Sequence, residues 1–165
     1  LYLQILYLHR MSEKQPQAQK PDPAFVATLR QSMRDCACWQ ARSMARRITQ
    51  FYDAGLAAYG LTMAQFGLLA LVAGAHDDTL GALAERAGLD QSTLTRNLQA
   101  LEREGLVGIS TREGDQRRRF AWVSDKGLTQ LHAAHGAWAK AQDELAALIP
   151  LASLKDAAKA AATLP

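Results

Sequence analysis

The stretch TLGALAERAGLDQSTLTRNLQALEREGLVGISTREGDQRRRFAWVSDKG, residues 79–127, decides the fold. Thr79 is placed to cap a helix carrying Leu80, Leu83, Ala84 and Ala87, and Gly88 is placed to end it. After the turn Leu89-Asp90 a second helix is predicted over residues 91–104. Its Leu94, Leu98 and Leu101 fall at i, i+4 and i+7 and so form one apolar stripe. The opposite face carries Gln91, Ser92, Thr95, Arg96, Gln99 and Arg103, which are short hydrogen-bonding groups and arginines. A helix lying in a DNA major groove needs that chemistry, to touch phosphates and base edges. Two strands are expected next, over 106–111 and 118–123, joined by Arg112-Glu-Gly-Asp-Gln-Arg117. The order is helix, turn, helix and then a basic two-stranded wing.

The flanks are helical. Over residues 24–58, Leu29, Met33, Cys36, Ala37, Met44, Ile48, Phe51 and Leu56 recur at three- and four-residue steps without proline. One long helix is therefore expected, interrupted or bent near Gly55 and ended by Gly60. Thr62-Met-Ala-Gln65 fits a capping box before Phe66, Leu68, Leu69, Leu71 and Val72. After the wing, Ser124 or Asp125 caps a long helix that Ile149-Pro150 breaks, and an alanine-rich helix closes the chain. The fold class is mainly α with a small β-wing, a winged helix–turn–helix flanked by long dimerisation helices. Residues 24–60 and 125–165 supply those helices and 62–124 the winged module, within one domain over 24–165. Leu29, Met33, Leu145, Leu148, Leu151 and Leu154 exceed what the small module needs for its own core, so a second subunit is expected to cover them.

Composition narrows the function. The chain has 165 residues, is 48% hydrophobic and carries a formal charge of +3. The charge is clustered: Arg112, Arg117, Arg118 and Arg119 crowd the wing, and Arg42, Arg46 and Arg47 lie in the first long helix. Cys36 and Cys38, two residues apart in a helical pattern, point about 200° apart and cannot easily join within one subunit. A reducing cytoplasm suits them. The apolar run 1–8 is too short to span a bilayer. Met11 reads as the native start, with residues 1–10 a leader, and a genuine N-terminal arm is the alternative; 1–23 is expected to be leader and flexible arm. His132 and His135 share a helix face without a cysteine or carboxylate cluster, so no metal or cofactor is expected. No nucleophile motif or oxyanion loop suggests an enzyme, and Trp39, Trp122 and Trp138 read as packing residues.

Several strings then resemble the MarR family of bacterial transcription regulators. They are Gly60-Leu-Thr62, Thr79-Leu-x-x-Leu-Ala84, Ser92-Thr-Leu-Thr-Arg96, Leu101-Glu-x-x-Gly-Leu-Val107, Asp115-x-Arg117 and Val123-Ser-Asp-x-Gly127. The resemblance covers residues 29–154. It implies an obligate homodimer with interlocked terminal helices, each subunit offering a winged helix to a near-palindromic double-stranded operator. It also implies that Arg117 reaches the minor groove and that Asp115 steadies the wing.

The DNA-binding candidates are Gln91, Ser92, Thr93, Thr95, Arg96, Gln99, Arg103, Arg112, Arg117 and Arg119. Strand alternation favours Arg117 with either Arg112 or Arg119, while Arg118 is free to pair with Glu102 or Glu104. By the resemblance, Cys38 falls where peroxide-sensing members carry their reactive cysteine. Of the tyrosines around that cysteine only Tyr52 is matched; Arg42 and Met63 stand at the other positions. Arg42, with Met63 and Phe66, is alternatively placed to hold the carboxylate of an aromatic effector. The reading is a repressor released by a small aromatic or phenolic ligand. A cysteine-based organic-peroxide sensor and a winged-helix protein-interaction module are the alternatives.

Overall fold

The computed structural model describes residues 20–75, 79–112 and 115–164, with 112 and 115–118 described by their backbone alone. The described residues form two compact units, divided between Met44 and Ala45.

In the first unit, Pro23 opens α1 (Pro23–Asp35), where its missing N–H costs nothing, and the Asp22 carboxylate accepts from the Ala24 amide at 3.0 Å. The helix stops at Cys36, whose backbone is extended, and α2 (Ala37–Leu56) starts at the next residue. Near Gly55, where an interruption was expected, α2 gives way after Leu56 to a 3₁₀ turn that Gly60 ends; the break at Cys36 was not expected. Gln40 explains the position. Its side chain donates to the Arg34 carbonyl at 2.6 Å and its amide to the Cys36 carbonyl at 3.0 Å, so one residue satisfies acceptors on both sides of the break. The two cysteines consequently do not share a helix. Phe25, Leu29, Met33 and Trp39 are all exposed, so Trp39 is not a packing residue within the chain.

The second unit is built on the remainder of α2, a 3₁₀ turn (Ala57–Tyr59), α3 (Met63–Ala73), α4 (Leu80–Ala87), α5 (Gln91–Arg103), β1 (Val107–Arg112), β2 (Asp115–Val123), α6 (Asp125–Leu148) and α7 (Leu151–Ala161). Local chemistry sets most boundaries. Thr62 and Gln65 form a reciprocal capping box, and Thr79 and Ser124 cap α4 and α6. Gly88 takes φ +64, the left-handed value that a tight helix–helix turn requires.

Leu94, Leu98 and Leu101 of α5 are fully enclosed and pack with Leu56, Leu69, Leu80, Leu83 and Leu106. A second cluster joins Tyr52 to Ala141 and Leu145. Leu145 thus faces its own chain, whereas Leu148 is 71% exposed.

The strands pair antiparallel, Val107 opposite Val123 and Ser110 opposite Phe120, with a register shift between Thr111 and Arg112. They run further than expected, to Arg112 and back to Asp115, because charged residues can join the ladder through their backbones. The turn residues Glu113 and Gly114 lie outside the described residues. Val107, Ile109, Ala121 and Val123 turn toward the core. Among the described residues, no single helix is long and apolar enough to cross a membrane.

Candidate nucleic-acid interface

Helix α5 owes its start to Asp90. Its extended backbone (φ −68°, ψ 150°) aims the carboxylate back at the first turn. One oxygen accepts the Ser92 hydroxyl at 2.5 Å and the Thr93 amide at 2.9 Å; the other accepts the Thr93 hydroxyl at 2.7 Å. These bonds, that from the Ser92 hydroxyl foremost, hold the Asp90 carboxyl well below the usual carboxylate range. Sequence reasoning placed Asp90 in the turn and missed this clamp, although an aspartate followed by Ser92 and Thr93 is a recognisable local signal.

Burial separates the two faces of α5. With the leucine stripe inward, Gln91, Ser92, Arg96, Gln99 and Arg103 are exposed, and Thr93 and Thr95 are half-buried. The Thr95 hydroxyl donates to the Gln91 carbonyl at 2.7 Å, and Arg103 Nε donates to the Gln99 carbonyl at 3.3 Å. Of the α5 positions expected to meet DNA, Gln91, Ser92, Arg96, Gln99 and Arg103 are therefore open to solvent, and Thr93 and Thr95 only partly so.

The far end of α5 is fastened to its neighbours. Gln65 donates to the Glu104 carboxylate at 3.3 Å, and Lys126 Nζ donates to the Glu104 carbonyl at 2.6 Å. Ser124 donates its hydroxyl to the Gly105 carbonyl at 2.7 Å. Thr79, at the start of α4, forms an isolated antiparallel bridge with Phe120 of β2. On the outer face of the wing the Trp122 indole covers Gly108 and is itself half exposed.

Arg119 is exposed, on the strand face that also carries Ala121. Arg112, Asp115, Arg117 and Arg118 have their backbones in the two strands, and their side chains lie outside the described residues.

The residues proposed for sensing fall in different units. Cys38 and Arg42 are exposed on α2 in the first unit, where both cysteines are free thiols. Tyr52, Met63 and Phe66 belong to the second. Tyr52 is buried and donates its hydroxyl to the Gln142 side chain, and burial pushes its pKa up. Phe66 is buried and stacked on Trp138, ring centroids 5.8 Å apart. The Met63 amide donates to the Asp53 carboxylate at 2.6 Å. His135 is exposed beside Trp138, at 5.7 Å.

The MarR family model matches residues 59–119, from the end of the 3₁₀ turn into the wing. No curated protein matches the sequence. Among solved structures, the M. tuberculosis transcriptional regulator MosR in complex with DNA is 35% identical. The match covers 76% of this chain and 98% of that one, with a TM-score of 0.66. The S. aureus MepR–DNA complex has a TM-score of 0.69 at 17% identity, over 78% of this chain and 98% of that one. CouR from Rhodococcus jostii RHA1, bound to p-coumaroyl-CoA, has a TM-score of 0.64 at 19% identity, over 82% and 97%. At such identities the last two show the fold alone.

Proposed function

The chain belongs to the MarR family of transcriptional regulators, and from that membership we propose that it is a dimeric repressor that reads its operator with α5 and the wing. Membership makes it a DNA-binding transcription regulator and sets aside the protein-interaction module. The observation that carries the finer reading is the division of α5 into an enclosed leucine stripe and an exposed face of Gln91, Ser92, Arg96, Gln99 and Arg103. MosR, which shares 35% of its sequence with this chain, has been solved on DNA. We assign the chain no catalytic role and place it in the cytoplasm, where Cys36 and Cys38 stay reduced.

Dimerisation is supported by apolar side chains left open. Phe25, Leu29 and Met33 of α1 and Leu148 of α6 are between 43% and 71% exposed, more apolar surface than a lone subunit tolerates well. Two α5 helices must stand about 34 Å apart to enter successive major grooves. An effector relieves repression only by binding better to subunits whose helices are misaligned.

The aromatic-ligand reading keeps Arg42, an exposed cation on α2, as the residue that would meet a carboxylate; Met63 and Phe66 lie on α3 in the other unit. The exposed thiol of Cys38 favours the second reading, release by an organic hydroperoxide. Fluorescence anisotropy on DNA from upstream of its own gene tests both. Arg96→Ala and Arg117→Ala are each expected to weaken binding about tenfold or more while leaving the dimer intact. Unchanged affinity in both variants would remove α5 and the wing from the interface. If binding is lost reversibly on oxidation in the wild type but not in Cys38→Ser, the switch is the thiol. If peroxide has no effect, the thiol reading falls, and aromatic acids added to the same complex test the other.

A further inference from the structure

The hydrogen bonds at the start of α5 constrain what that helix can read. A serine or threonine hydroxyl has one proton and two lone pairs, so a free one serves either donor or acceptor bases. Ser92 and Thr93 do not have that freedom. Their partner is a carboxylate, which only accepts, so both hydroxyl protons point at Asp90, at 2.5 and 2.7 Å. The Thr95 proton is committed likewise, to the Gln91 carbonyl at 2.7 Å. Only lone pairs remain to face outward. In the major groove the complementary donors are the exocyclic amines, N6 of adenine and N4 of cytosine, whereas O6 and N7 of guanine and O4 of thymine need a donor.

We infer that Asp90 sets Ser92 and Thr93 as hydrogen-bond acceptors toward DNA, so that the first turn of α5 selects bases presenting an exocyclic amine. Asp90 is a positioning residue here: it acts through the two hydroxyls and touches no base. The inference rests on the reading of α5 as the groove-entering helix. Within that reading it divides the labour along the helix, with amines met by the first turn and phosphates or guanine met by Arg96 and Arg103.

The isosteric change Asp90→Asn separates polarity from capping, since asparagine caps a helix as well as aspartate does. Oδ1 would still accept from the Thr93 amide and the Ser92 hydroxyl. The new amide group would replace the oxygen that faces Thr93 Oγ1, and that hydroxyl would then accept inward and donate outward.

The test selects binding sites for the wild-type protein from a randomised duplex pool. Each adenine of the selected site is then replaced singly by unsubstituted purine, which lacks the 6-amino group, and each cytosine by 2-pyrimidinone, which lacks the 4-amino group. At one or more positions the wild type is expected to lose about five- to tenfold in affinity. At a Thr93-dependent position, identified with Thr93→Val, Asp90→Asn should tolerate the same replacement within about twofold and shift its preference toward guanine or thymine. A wild type indifferent to every replacement overturns the inference, with no variant needed. An unchanged penalty in a folded Asp90→Asn protein, checked by circular dichroism, overturns it too. If the wild type enriches no sequence, the DNA reading itself fails, which is a distinct result.

Discussion

Lys126 Nζ lies 2.6 Å from the main-chain oxygen of Glu104, so the first turn of α6 supplies the cation that closes the C-terminal end of α5. The last carbonyls of a helix lack intrahelical donors and carry the negative end of its dipole. A lysine from another element therefore serves as a cap in trans. Lys126→Met keeps most of the stem and removes the charge. It is expected to cost about 0.5–1 kcal/mol, read as a lower urea midpoint with unchanged slope. An unchanged midpoint would mean that the ammonium is simply solvated.

Two glycines make a contrasting pair. A Cβ on Gly127 would lie 2.1 Å from the Leu106 carbonyl oxygen and 2.7 Å from Val123 Cγ1. Backbone cannot step aside as a side chain can, so Gly127→Ala should destabilise by about 2–3 kcal/mol. On Gly108 the three nearest atoms to the added one would all belong to the Trp122 ring, the closest 2.2 Å away, and that ring is half exposed. Gly108→Ala should displace the indole toward water for less than about 1 kcal/mol, with a red-shifted tryptophan emission. Equal destabilisation by the two would contradict the close approach at Gly127.

Tyr52 gives the fold an alkaline limit. Its pKa is raised by burial, so the neutral phenol is the form the fold accepts. The stability involved is intact below the unfolded value of about 10 and is lost as pH rises from there through the folded pKa. Tyr52→Phe should flatten that limb. At neutral pH it should cost about 0.5–1.5 kcal/mol, because the Gln142 side chain loses its phenolic donor. A wild type whose stability is level to pH 11 would refute the assignment.

The parts of the fold legible in the sequence are those governed by neighbours within four residues. Thr62 with Gln65, Thr79 and Ser124 announce their helices because a cap and its acceptor lie within one turn. The leucines of α5 announce their own burial by spacing, and the family resemblance rested on the same strings. The break at Cys36 was not legible, because it depends on Gln40 reaching six residues back to Arg34. Apolar residues late in α6 all look alike in sequence, yet Leu145 finds Tyr52 and Ala141 while Leu148 finds solvent. Spacing could not say which. The exposed face of α5 was legible as a list of residues; the direction of each hydroxyl proton was not, since it is decided by Asp90 outside the helix.

The bridge between Thr79 and Phe120 has a mechanical consequence. It ties the residue that starts α4 to the strand that returns from the wing, while Ser124 and Lys126 tie the end of that strand to the end of α5. Helix, turn, helix and wing thus form a closed loop of fastenings, like a frame braced at opposite corners. A braced frame resists shear between its members and turns as one piece. Loosening the wing alone would first have to undo these braces.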